Sequence, residues 1–99
     1  MFGHFSAIIV SANQIGENCT IFQGVSIGSV RGKGNPQIGD NVVFGANSTI
    51  VGDIKIGNNV FIGAGAVVTS DIPDNSVVVG NPGRIISNNG IYHTSKYIN

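Results

Sequence analysis

Apolar residues recur at every sixth position along two stretches of the chain, and a second set of small or apolar residues lies four places further on. The first set is Ile9, Ile15, Ile21, Ile27, Ile38, Phe44, Ile50, Ile56, Ile62 and Val68; the second is Cys19, Val25, Val42, Ser48, Ile54, Val60, Ala66 and Ile72. A helix repeats near every 3.6 residues and a simple strand every two, so a period of six indicates short strands separated by sharp turns. Three such units make one coil of about 18 residues, which predicts a solenoid of about four coils from Ile9 to near Val79.

Glycine and asparagine punctuate this repeat. Glycine often follows the first-set residue, at Gly16, Gly28, Gly39, Gly45, Gly57 and Gly63. We expect these glycines and the recurrent asparagines to relieve strain where turns enter positive φ. The chain has fifteen Gly and no Leu, so Ile and Val supply most of the aliphatic bulk. Because β-branched residues favour strands, the expected fold class is an all-β parallel β-helix.

The repeat is interrupted once, between Ile27 and Ile38, by five additional residues. Glycine, asparagine and proline in this stretch predict an extruded loop at residues 29–37. A surface insertion without a role is one interpretation. A functional loop is favoured, because an otherwise strict repeat breaks at this place alone.

Composition excludes several classes of protein. Five basic residues balance five acidic ones, which argues against a nucleic-acid interface. No apolar run is long enough for a membrane span, and the first ten residues lack the basic start of a secretory signal. A single cysteine, Cys19, allows no intrachain disulfide, which suits the cytoplasm. We expect one β-helical domain at residues 1–86, followed by a polar tail at 87–99 in which His93 is exposed to solvent.

Four segments resemble the hexapeptide-repeat acyltransferases, most closely the serine acetyltransferases and related sugar or polysaccharide O-acetyltransferases. They are HFSAIIV (4–10), IGENCTIFQGVSIG (15–28), the stretch from PQIGDN to TSDIP (36–73) and NSVVVGNPGRII (75–86). The resemblance implies that the solenoid is left-handed, an exception to the usual hand of parallel crossovers. It also implies a homotrimer with sites between subunits. The reaction it implies is transfer of an acetyl group from acetyl-CoA to a hydroxyl.

The resemblance also implies roles for individual residues. His4 lies where relatives carry the histidine that acts as general base, and imidazole suits proton transfer near neutral pH. Coenzyme A is implied to lie along the turns of the solenoid, with basic residues near its phosphates. The residues at these positions are Gly28, Ser29, Lys33, Gly45, Ala46, Gly63, Ala64 and Arg84. Cys19 occupies an inward position, so we expect it to be inert.

Three functions stay open at this point. Serine is the acceptor that overall similarity favours. Two features depart from relatives that acetylate serine: Gly3 precedes His4 where they usually have an acidic residue, and the loop contains no histidine. The missing loop histidine favours a sugar acceptor. A scaffold without catalysis is the third. Two histidines do not make the ligand set of a zinc enzyme, so no metal is expected.

The predicted solenoid leads to an expectation about assembly. Only eight residues precede Ile9, and a coil without a cap exposes unpaired backbone that promotes association. We therefore expect an oligomer, or a further segment upstream. Size-exclusion chromatography with light scattering measures the mass directly, and a stable monomer contradicts the expectation.

Overall fold

A three-sided parallel β-helix forms the body of the protein. The computed structural model describes residues 8–9, 14–29 and 34–97. Its strands are β1 Ile8–Ile9, β2 Gln14–Ile15, β3 Thr20–Ile21, β4 Ser26–Gly28, β5 Gln37–Ile38, β6 Val43–Phe44, β7 Thr49–Val51, β8 Lys55–Ile56, β9 Phe61–Ile62, β10 Val67–Val68, β11 Val77–Val79 and β12 Arg84–Ser87. One short helix, α1 Gly90–Thr94, follows them.

Each face of the prism is one parallel sheet. The first face has the order β1-β4-β7-β10, the second β2-β5-β8, and the third β3-β6-β9-β11 with β12 added antiparallel at its end. Four successive strands on the first and third faces confirm the expected four coils. Ile9 pairs with Ile27, eighteen residues later, whereas Ile27 pairs with Ile50, twenty-three residues later. The difference is the five-residue insertion. Gln37 already belongs to β5, so the predicted loop at 29–37 is one residue too long at its end.

The repeat positions form the core, as predicted. From Cys19 onward, every member of both sets is between 0% and 6% exposed. Ile15 is partly buried and packs against this cluster. Ser48 is the polar member, and its hydroxyl donates to the carbonyl oxygen of Gly45 at 2.8 Å. The prism interior therefore consists of stacked apolar layers, and the hydroxyl of Ser48 within them is hydrogen-bonded to the backbone.

The last coil spans sixteen residues, two fewer than the regular eighteen. Ile72 bridges to Ile56, sixteen residues earlier, and Val78 pairs with Ile62 at the same interval. Ile72 was predicted as a second-set residue, and this assignment is wrong. It occupies the first-set position of the fourth coil, four positions after Val68 instead of the regular six.

Asparagine takes the left-handed conformation at the corner between the second and third faces. The φ angles are 60° at Asn18, 58° at Asn41, 58° at Asn59 and 63° at Asn75. This confirms the expectation for asparagine. The glycines that precede these turns serve a different purpose, because a Cβ on Gly39 would collide with the side chain of the next coil's asparagine and with backbone. Glycine is required there for space.

The C-terminal segment folds back along the third face. Gly90 N–H donates to the carbonyl oxygen of Asn75 at 2.8 Å, in the fourth coil. Further along, the ring of His93 lies 5.6 Å from that of Phe61 in the third coil. His93 is half-buried, so the prediction that it is exposed to solvent is wrong. Strand β12 ends at Ser87, one residue past the boundary predicted between the β-helical domain and the tail.

The stacked core predicts the cost of truncating one layer. Ile50→Ala removes a side chain that is fully buried, and we expect the free energy of unfolding to fall by about 2–5 kcal/mol. Thr49→Ala changes the outward neighbour on the same strand and should cost less than about 1 kcal/mol. Urea denaturation followed by circular dichroism measures both. Equal losses in the two variants would contradict the inward orientation of Ile50.

Candidate functional site

Glycine and alanine line one corner of the prism, between the third and first faces. Gly45 and Ala46 turn this corner in the second coil, and Gly63 and Ala64 turn it in the third. Gly45 N–H donates to the carbonyl oxygen of Ile62 at 2.7 Å, which stacks the two turns directly. A Cβ on Gly45 would lie 2.5 Å from the nitrogen of Ala64. We call Gly45, Ala46, Gly63 and Ala64 the glycine–alanine column.

The corner between the second and third faces is built differently. There the side chain of each coil accepts a hydrogen bond from the backbone of the coil before it. Glu17 N–H donates to Asp40 Oδ1 at 2.8 Å, and Asp40 N–H donates to Asn58 Oδ1 at 2.8 Å. Asn58 N–H continues the ladder to Asp74 Oδ1 at 2.7 Å. At this corner the outward N–H groups are satisfied by protein.

The glycine–alanine column lacks such acceptors, because alanine has no side-chain oxygen. Ala46 and Ala64 stand where the other corner has Asp40 and Asn58. Within the described residues, the N–H groups of Ala46 and Ala64 donate to no protein atom, although the carbonyl oxygen of Ala46 accepts from Gly65 at 2.9 Å. Successive coils are about 4.8 Å apart, so two free donors point outward in line. An extended ligand with amide carbonyls matches that arrangement.

Arg84 lies at the C-terminal end of this column. A Cβ on Gly63 would lie 3.0 Å from Val79 of the fourth coil, and Val79 pairs with Arg84 on β12. Arg84 is exposed to solvent. An exposed arginine beyond the last donor is suited to a phosphate, with which it forms charge-assisted hydrogen bonds.

The other predicted residues are more scattered. Gly28 ends β4 and pairs with Val51, so Gly28 and Ser29 lie across the first face from the column. The structure therefore brings Gly45, Ala46, Gly63, Ala64 and Arg84 together, and separates Gly28 and Ser29 from them. His4 and Lys33 lie outside the described residues, and their roles stay predictions.

Cys19 is packed in the core and plays no part at this corner. It is 1% exposed, and its Sγ lies 3.3 Å from the carbonyl oxygen of Gly39. Burial raises the pKa of the Cys19 thiol, and a protonated buried thiol is a poor nucleophile. Among residues 14–29 and 34–97, no group of three or more His, Cys, Asp or Glu is arranged to hold a metal. The same residues include no helix of the length and apolarity that crossing a bilayer requires.

An aromatic cluster beside the column was missed from the sequence. The ring of Tyr97 lies 5.7 Å from that of Phe22 and 5.9 Å from that of Phe61. Val43, which lies in register between Thr20 and Phe61 on the third face, is 0% exposed. The signal was present in the third-face strands, where both residues are apolar in Val43–Phe44 and Phe61–Ile62. A strand that is apolar on both sides is covered on both sides.

The chain is similar to known transferases. The bacterial transferase hexapeptide family (six repeats) matches residues 35–70. A serine acetyltransferase from Staphylococcus aureus (strain Mu50 / ATCC 700699) is 49% identical over 80 residues, which are 78% of this chain and 38% of that protein. The chain belongs to the hexapeptide-repeat transferases.

Solved structures place this hexapeptide-repeat chain among the same proteins. Serine acetyltransferase from Brucella abortus strain S19 superposes with a TM-score of 0.82 at 34% identity, over 91% of this chain and 38% of that one. A serine acetyltransferase in complex with CoA superposes with a TM-score of 0.77 at 31% identity, over 87% and 36%. These neighbours confirm the left-handed hand of the solenoid. The chain spans less than two fifths of the length of the relatives it matches.

The free donors of the column can be tested by giving them a partner. Ala64→Asn places an amide where the other corner has Asn58, and its oxygen should accept from Ala46 N–H. We expect slower hydrogen exchange at Ala46 and a gain of up to about 1 kcal/mol in stability. Ala64→Leu, similar in size but without an acceptor, should leave that exchange unchanged. If Ala46 N–H already exchanges as slowly as Asp40 N–H in the unmodified chain, the donor is not free.

Proposed function

We propose that this hexapeptide-repeat chain is the catalytic region of an acetyl-CoA-dependent O-acetyltransferase, with serine as the acceptor. The observation that carries the proposal is the glycine–alanine column, with two unpaired N–H donors in line and Arg84 beyond them. Its relatives named serine acetyltransferase, and the similar structure in complex with CoA, support the same reaction.

The column fits the pantetheine arm of coenzyme A. Pantetheine is an extended chain with two amide groups, so its carbonyl oxygens can accept from Ala46 and Ala64 N–H. The absence of side chains beyond Cβ at Gly45 and Gly63 lets a ligand reach the backbone. Arg84 then serves the phosphates at the C-terminal end. Gly28, Ser29 and Lys33 contribute from across the first face and from the loop.

His4 is the proposed general base. The imidazole takes the proton of the acceptor hydroxyl while that oxygen attacks the thioester carbonyl carbon. The carbon–sulfur bond then breaks, and the imidazolium returns the proton to the thiolate. Acyl transfer of this kind needs no acyl-enzyme, in agreement with the buried Cys19.

A homotrimer in the cytoplasm completes the proposal. A short prism buries a modest fraction of its surface, so association with further copies adds stability.

Thiol release from acetyl-CoA tests the proposed reaction. We expect release with serine, and a loss of at least about 100-fold in kcat/KM in His4→Ala, because a general base contributes that much or more. His93→Ala is the matched control, since His93 lies on the third face and should retain activity. Release that persists in His4→Ala refutes the base. A panel of sugars identifies the acceptor if serine supports no release, and absence of both release and CoA binding leaves the non-catalytic scaffold.

A further inference from the structure

Phe22 occupies the first position of the corner that carries the glycine–alanine column. Strand β3 pairs in register with β6, and β6 with β9, so Phe22, Gly45 and Gly63 follow one another along the prism. Phe22 N–H donates to the carbonyl oxygen of Phe44 at 3.1 Å, the bond that Gly45 N–H repeats one coil later. The first coil thus has a phenyl ring where the next two have no side chain.

The position of Phe22 brings its ring beside the column. At the equivalent Gly45, a Cβ would collide with the nitrogen of Ala64 in the next coil, 2.5 Å away. The side chain of Phe22 cannot share that direction, so its ring lies to the side of the turn of Gly45 and Ala46, towards Tyr97. Phe22 is half-buried.

The C-terminal segment holds the ring in place. Tyr97 meets Phe22 edge to face, with ring centroids 5.7 Å apart and planes at 84°. Tyr97 is itself anchored on Phe61, 5.9 Å away. Edge-to-face contact is a favoured aromatic geometry. Tyr97, in the tail that the sequence predicted to be polar, therefore packs on Phe22 at the N-terminal end of the column.

The proposed orientation of the cofactor places the reacting acyl group at this end. Phe22 follows β3 and Arg84 begins β12, with β6, β9 and β11 between them in the third-face sheet. Four strand spacings separate these levels, about 19 Å, which is of the order of an extended pantetheine arm. The thioester then arrives beside Phe22.

We infer that Phe22, held by Tyr97, is the residue that limits the length of the acyl group, so that the site takes acetyl and excludes longer chains. The inference rests on the proposed function, since it assigns a role within the same site. Phe22 contacts the acyl group, and Tyr97 is a positioning residue that acts through Phe22. A hydrophobic wall discriminates by roughly 10–200-fold for each methylene that it rejects.

Competition between acyl-CoA thioesters tests the inference on the full chain. Acetyl-, propionyl-, butyryl- and hexanoyl-CoA are compared by thiol release with serine and by calorimetric binding. In Phe22→Ala we expect the ratio of kcat/KM for butyryl-CoA over acetyl-CoA to rise at least tenfold, and the ratio of their binding constants to follow. Tyr97→Ala should raise the same ratios by a smaller factor, with little change in kcat for acetyl-CoA. Phe22→Leu, a milder truncation, gives the test if Phe22→Ala does not fold.

Tyr92→Ala is the matched control, because Tyr92 belongs to the same tail but contacts His93 and Lys96 instead of Phe22. Its ratios should equal those of the unmodified chain. Unchanged ratios in both Phe22 variants, with acetyl-CoA still used, overturn the inference alone. Failure of the unmodified chain to bind or cleave any thioester overturns the proposed function, and the inference with it. A rise in Tyr92→Ala equal to that in Phe22→Ala shows a general loosening of the tail and also overturns it.

Discussion

The fold depends on hydrogen bonds that run along the prism, from each coil to the next. Nearly every strand here is two or three residues long, far too short to be stable in isolation. Each is held because its backbone pairs with the coil before and the coil after, while its inward Ile, Val or Phe stacks on the corresponding side chain. The rest of the structure follows from keeping that stack in register.

The side chains at equivalent turn positions explain why the two corners of the prism differ in their hydrogen bonding. Where the turn carries Asp40, Asn58 and Asp74, side-chain oxygens satisfy the outward N–H groups and stabilise the stack. Where it carries Ala46 and Ala64, those groups have no acceptor within the described residues. Side-chain oxygens at these two positions would stabilise the stack but would occupy the donors that the proposed function assigns to a ligand. In that proposal, stability and binding depend on separate corners of one prism.

The six-residue period predicted the parallel coils and their inward positions, because each inward residue repeats in phase. The left hand of the solenoid and the choice of Gly45 and Gly63 as binding positions came from the family resemblance. The lack of an acceptor at Ala46 could not be seen until the ladder at the opposite corner showed what was missing. The tail escaped prediction because Tyr97 and His93 pack on residues far away in sequence, and such contacts leave no local pattern. Ile72 was misassigned for a related reason, since a two-residue deletion preserves composition while shifting phase.

The C-terminal segment also affects how cooperatively the solenoid should unfold. Repeat proteins in which each coil touches only its neighbours can lose their end coils one at a time. Here the backbone of Gly90 is bound to the fourth coil, and the ring of Tyr97 rests on the first and third. Unfolding of one terminal coil therefore also breaks contacts of the C-terminal segment, which packs on the other coils. A chain assembled from nearly independent units thereby acquires the all-or-none melting expected of an ordinary globular domain.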